Sequence, residues 1–159
     1  MNQSVQLDAI DLRLLEALQQ DCALSNQDLA ARVAVSPATC LRRVKRLVDA
    51  GVIERRVALL SPDALGAGLQ ALLEITLDRQ GAEHLDAFEA RAVQEAAVQQ
   101  CWRVSPGPDF VLVVQVADMP AYHALTQRLL TQDANVRNIK AFFSVKRAKF
   151  DTRIALPTR

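Results

Sequence analysis

Apolar residues recur at helical spacing three times within the first fifty positions. Ile10, Leu14, Leu15 and Leu18 share one face of a helix expected over Leu7–Asp21, with Asp8 placed to cap its start. Ser25-Asn26-Gln27-Asp28 has the spacing of a capping box and opens a short helix whose Leu29, Ala30 and Val33 point inward. Ser36-Pro37 then supplies a cap hydroxyl and a first-turn proline for a third helix. Its expected apolar stripe is Leu41, Val44, Leu47 and Val48, and Gly51 ends it. After Gly51 the period changes. Val52–Leu60 reads as an extended strand broken at Ser61-Pro62.

The remaining hundred residues alternate differently. Leu69–Leu77, Val98–Val104, Phe110–Val116 and Val136–Val145 read as strands, and Glu83–Glu95 and Met119–Leu130 as helices. Ser105-Pro106-Gly107-Pro108 is a turn by composition. The order β-α-β-β-α-β predicts a ferredoxin-like antiparallel sheet with both helices on one face. The fold class expected is therefore α+β, a winged-type helix-turn-helix of three helices followed by a ferredoxin-like domain. The boundaries expected are 1–53 for the helix-turn-helix, 54–66 for a linker strand and 67–159 for the second domain. A sheet covered on one face leaves the other to be buried, so this domain is expected to dimerise sheet to sheet.

The third helix carries the first candidate chemistry. Ala38, Thr39, Arg42, Arg43 and Arg46 are expected to point away from its apolar stripe, with Lys45 on the flank. Arg pairs bidentately with guanine or binds phosphate, and Thr contacts a base edge or methyl. Ser25 and Ser36, with Asn26, stand at helix N-termini, which favour phosphate. Arg55 and Arg56 are expected near the end of the third helix, a place for DNA-backbone contacts. A cationic helix face is often only solvated surface. Three-helix spacing, two caps and a basic segment that agree favour duplex DNA.

Composition adds less. Among 159 residues, 19 basic and 18 acidic side chains nearly balance, but their distribution does not. Residues 36–56 carry six basic and two acidic residues, residues 61–139 five and ten, and residues 140–159 six and one. The basic tail (Lys146, Arg147, Lys149, Arg153, Arg159) is read as solvated. Cys22, Cys40 and Cys101 are in no metal or redox spacing and are read as small buried apolar residues. His84 and His123 have no partner at metal spacing, and no phosphate loop or nucleophile motif is present. An enzyme, a cofactor and a metal are therefore not expected. Met1–Leu7 is polar and no stretch reaches membrane-span length, so a cytoplasmic protein without membrane contact is expected.

The sequence resembles the Lrp/AsnC (feast/famine) family of transcriptional regulators, nearest its leucine-responsive branch. The resemblance runs from Leu7 to Leu156 and is strongest in LDAIDLRLLEALQQD, SNQDLAARV, VSPATCLRRVKRLVDAGVI and LLEITL, with Asp118–Tyr122 in support. It implies a helix-turn-helix whose reading helix is Ser36–Ala50, and an effector and oligomerisation domain. It implies homodimers that assemble to tetramers, octamers or larger rings. It also implies that a small effector, typically an amino acid, binds between dimers.

The effector region departs from the family pattern. Where the family has Gly-x-x-Asp-Tyr, this chain has Pro106-Gly107-Pro108-Asp109-Phe110, and proline removes an amide donor. Ala141 stands where a hydroxyl residue is common, and Arg103 where an apolar one is. The candidate effector residues are Arg103, Ser105, Gly107, Asp109, Met119, Phe142 and Phe143. Two readings stay open: Asp109 accepts an amino-acid ammonium, or it only forms the turn and the pocket is altered or vacant. Two functions also stand side by side. One is a sequence-specific DNA-binding regulator responsive to an amino acid. The alternative is an effector-sensing or assembly module whose helix-turn-helix docks protein.

Overall fold

The computed structural model describes residues 6–66, 68–133 and 135–157. The chain forms two compact units. One comprises the chain up to Leu59 together with the segment from Lys149 onward, the other Leu60–Ala148.

The first unit is three helices, α1 Ala9–Gln20, α2 Asn26–Arg32 and α3 Pro37–Asp49. Each starts where its cap dictates. Asp8 and Asp11 form a reciprocal capping box, Ser25 Oγ accepts from the Asp28 amide, and Ser36 Oγ accepts from the Thr39 amide. α3 ends in paired bonds from the Gly51 amide to the Val48 carbonyl and from the Val52 amide to the Leu47 carbonyl, with Gly51 at φ +70°. Ala34, between α2 and α3, has φ +58°, a left-handed residue that turns the chain from one helix to the next. Leu14, Ala17, Leu29, Ala30, Val33, Cys40 and Val44 form the core.

Two expectations fail here. The stripe α3 buries is Cys40, Val44 and Leu47, while Leu41 and Val48 are exposed. Residues 54–60 pair with no strand among the described residues, so the linker strand expected over 54–66 is not formed; a turn follows at Pro62–Gly66. The segment from Lys149 packs with the helices. The Gln19 side-chain amide explains its attachment, donating to the Ile154 carbonyl (3.1 Å) and accepting from the Ile154 amide (2.8 Å). Arg159 lies outside the described residues.

The second unit is a four-stranded antiparallel sheet, β1 Leu69–Leu77, β2 Val98–Arg103, β3 Phe110–Val116 and β4 Val136–Phe143, in the order β2-β3-β1-β4. With α4 Ala82–Ala92 and α5 Met119–Thr126 the order is the ferredoxin-like one expected. α5 runs on into a π-helical turn, Gln127–Thr131, that buries both Leu129 and Leu130. Strand alternation sorts the faces. Ala71, Leu73, Ile75 and Leu77 of β1 and Phe110, Leu112, Val114 and Val116 of β3 pack with Phe88, Ala92, Tyr122 and Leu125 of the helices. The other face carries Leu72, Val113 and Phe142 in one cross-strand row and Trp102, Val111, Glu74 and Lys140 in the next. Cys40 is buried and Cys101 half-buried, but Cys22 is exposed, contrary to its reading as a core residue. No helix among the described residues is long and apolar enough to cross a membrane.

Candidate nucleic-acid interface

The buried stripe of α3 decides which side chains face outward. With Cys40, Val44 and Leu47 inward, a helix of 3.6 residues per turn turns Ala38, Arg42, Lys45 and Asp49 to solvent. Lys45 Nζ pairs with Asp49 at 2.9 Å, an exposed bridge that solvent screens. Thr39 is half-buried and accepts a hydrogen bond from the Ser36 hydroxyl at 2.9 Å.

The other two arginines behave differently. Arg43 Nη1 lies 2.7 Å from Asp8 and 2.9 Å from Asp11, and its side chain is only 21% exposed. Its Nε is buried without a hydrogen-bond partner among the described residues. Arg46 Nη2 lies 2.5 Å from the same Asp11 and keeps 46% exposure. Asp11 itself is 1% exposed. Arg43 is thus not on the outward face as expected. One buried carboxylate on α1 draws it inward and holds Arg46 at the edge. These groups line a cleft of about 430 Å³ between the start of α1 and α3.

The network sets the protonation of its acids. Asp8 is held down to about 2 from an ordinary 3.8, first by the Asp11 amide and then by Arg43. Burial pushes the Asp11 carboxyl up, but hydrogen bonds from Arg46, the Asp8 amide and Arg43 together outweigh it, and the net displacement is downward. Both acids therefore bind protons less readily in the folded chain than in the unfolded one. Their stabilisation is complete above the ordinary carboxylate value and is lost as pH falls below it, for Asp8 from about 4 toward 2. Thermal melting of the helices is expected to shift downward across that interval, and Asp8→Asn to flatten the shift. A profile unchanged by Asp8→Asn removes Asp8 from this account.

The remaining expected contacts serve the scaffold first. Asn26 Nδ2 donates to the Pro37 carbonyl at 2.9 Å, tying the start of α2 to the start of α3. The Ser25 hydroxyl donates to the Asp28 carboxylate at 2.6 Å while capping α2. Arg55 is exposed, on a segment without secondary structure rather than on a strand. Sequence reasoning missed Asp11, although the signal was present: an acid at the i−3 and i−4 positions of Leu14 and Leu15, on the buried stripe of α1.

In the second unit the seven expected effector residues do not converge. Ser105, Gly107 and Asp109 sit in the turn before β3, with Arg103 at the adjoining end of β2, while Met119 follows β3 at its far end. Seven strand residues separate those ends by roughly 20 Å. Phe142 and Phe143 lie at the Met119 end, on opposite faces of the sheet: Phe142 stands opposite Leu72, and Phe143 packs edge-on against Tyr122 at 4.9 Å. Arg103 is paired with Asp86 and Glu89 of α4, both at 2.7 Å, and lies over the Phe110 ring. Asp109 Oδ2 accepts from the Leu77 amide at 2.7 Å and from Gln80 Nε2 at 3.2 Å, and the Asp109 amide donates to the Ile75 carbonyl. Within one chain the carboxylate fastens the end of β1 to the turn.

Residues 7–54 match the family model for winged helix-turn-helix DNA-binding domains, and residues 70–154, over half the chain, match the Lrp/AsnC ligand binding domain. The chain belongs to the Lrp/AsnC family. Its relatives include an HTH-type transcriptional regulator of Haemophilus influenzae, 38% identical across 94% of this chain and 89% of that protein. The leucine-responsive regulatory protein of Salmonella typhimurium is 36% identical across 96% and 93%. Among solved Lrp/AsnC-like structures, a transcriptional regulator of Neisseria meningitidis in complex with L-Met superposes with a TM-score of 0.85 at 32% identity, covering 94% of this chain and 97% of that one. This Lrp/AsnC chain is a helix-turn-helix transcriptional regulator, and α3 occupies the second-helix position that reads DNA in such units.

Proposed function

We propose that the chain binds duplex DNA by placing α3 in the major groove, led by Ala38, Arg42 and Lys45, with Arg46 at the groove edge. The observation that carries this reading is the outward pair Arg42 and Lys45 on a helix whose opposite face is buried. Arg43 belongs to the support rather than to the contact, because Asp8 and Asp11 take up its guanidinium. Ser25, Asn26, Ser36 and Thr39 position the two helix starts, and Arg55 approaches the DNA backbone. The chain acts as a regulator rather than as an enzyme, in the cytoplasm.

The second unit is proposed to assemble copies through the open sheet face, where Leu72, Trp102 and Phe142 are exposed. Dimers formed there would carry two α3 helices to successive major grooves, about 34–36 Å apart or a multiple of it, and would assemble further to tetramers or octamers. An amino acid is the proposed effector, as in the Neisseria meningitidis structure solved with L-Met. The candidate residues form two groups at opposite ends of the sheet, so a site between copies that takes one group from each fits their placement better than a pocket within one chain.

The DNA reading is tested by anisotropy titration of labelled duplex at two salt concentrations. Arg42→Ala with Lys45→Ala is expected to weaken binding by about a hundredfold and to lower the log–log salt slope by about 0.9 for each phosphate no longer neutralised. Equal affinity and equal slope for the double variant and the wild type would sink it. Thermal-shift screening of the common amino acids tests the effector, with no response from any of them the contrary result.

A further inference from the structure

Leu41 lies outside the core of its own unit. It falls in the second turn of α3 with 61% of its surface exposed. Ala38 is one turn before it, Lys45 one turn after and Arg42 beside it, and all three are exposed. The side chain is therefore an aliphatic patch set among cations on the leading half of the helix. Val48, the other large exposed apolar residue of α3, stands farther on beside Asp49.

A single exposed leucine needs no explanation by itself. Its setting limits what can cover it. A second copy meeting this surface by a twofold would bring Arg42 and Lys45 of both chains together, like charge on like. Duplex DNA complements both parts of the surface, because phosphates flank the major groove and the thymine C5 methyl is the apolar group on its floor. We infer that Leu41 is a specificity-determining residue that reads a thymine methyl by direct contact, giving the preferred duplex an A·T requirement at that position. The inference rests on the reading of α3 proposed above.

The test is a double-variant cycle on a duplex selected from a random-sequence pool by the wild-type chain. Each dT of the selected duplex is replaced in turn by dU, which removes only the methyl group. At the contacted position this is expected to weaken wild-type binding by about fourfold, the transfer value of one buried carbon. Leu41→Ala is expected to weaken binding to the dT duplex by about tenfold, and the dU duplex is expected to cost that variant nothing further. Because Leu41 is exposed, the variant should melt with the wild type, and Leu41→Met, which keeps an apolar side chain there, should retain the dT preference. A dU effect equal in wild type and Leu41→Ala overturns the inference, as does no dU effect at any position. So does a Leu41→Ala change in subunit number with the dT preference intact. If Arg42→Ala with Lys45→Ala loses affinity while the cycle is additive, only the role of Leu41 falls. If that pair binds as wild type, or the pool yields no duplex, the reading of α3 falls with it.

Discussion

Asp11→Ala is expected to loosen the helix-turn-helix unit by about 3 kcal/mol and to raise amide exchange in α1 and α3 by about a hundredfold. Asp11 is fully enclosed yet charged, and it accepts from the guanidinium groups of Arg43 and Arg46 while its side chain also completes the cap of α1. Removing it leaves Arg43, which has little access to water and a buried Nε, with the exposed Asp8 as its one remaining carboxylate among the described residues. Deleting one partner of a buried pair costs more than the pair contributes, because the survivor keeps its desolvation penalty. Arg46, nearly half exposed, can turn to solvent, which places the effect at the lower end of the usual range. Asp11→Asn keeps the shape and an acceptor oxygen but not the charge, so its effect should be smaller. DNA affinity should fall with Asp11→Ala although Asp11 faces no groove, because α3 is held against α1 through it. Exchange rates in α1 and α3 that match the wild type would show that the enclosed carboxylate is dispensable.

The same residues show how far the sequence could be read. Helix existence and ends were legible because Asp8, Ser25, Ser36, Pro37 and Gly51 act locally, each satisfying or removing a backbone group of its own turn. The rotation of α3 was not. Apolar residues at 40, 41, 44, 47 and 48 offer two stripes, one through Cys40 and one through Leu41, and periodicity weights Leu above Cys. Packing against α1 and α2 selected Cys40. That choice turned Leu41 outward and Arg43 inward, so one rotation accounts for both errors in the expected DNA face. The segment Val52–Leu60 has strand-like composition, but a strand needs a partner edge, which composition does not supply. In the second unit the strands were legible from alternation and the topology from their order. The effector candidates rest on family pattern, which does not say that β3 separates the Ser105–Asp109 turn from Met119, or that Phe142 and Phe143 fall on opposite faces of the sheet.

Gly68→Ala is expected to destabilise the sheet unit by about 3 kcal/mol, the upper range for forcing atoms into filled space. Gly68 precedes β1 with φ +31°, a backbone conformation that side chains disfavour, and its amide donates to the Gly66 carbonyl at 3.0 Å. The stronger constraint is spatial. A Cβ there would sit 2.0 Å from the Val116 carbonyl oxygen and 2.2 Å from that of Ala117. Both are backbone atoms at the end of β3, paired in register with β1 through Leu69 and Val116, so neither can swing aside as a side chain would. Relief requires the first pair of the β1–β3 ladder to open, and β1 is the strand between β3 and β4. The effect should therefore reach the whole sheet rather than one loop. Trp102, the single tryptophan, lies on β2 and reports this unit alone. Its fluorescence in urea is expected to give a midpoint lower by about 2 M at an ordinary slope for a domain of this size. Gly66, which also has positive φ (+62°) but open space around a Cβ, supplies the control. Alanine there should cost only about 1 kcal/mol of backbone strain. Gly68→Ala melting alongside that control would mean that the close approach of β1 to Val116 and Ala117 does not constrain the fold.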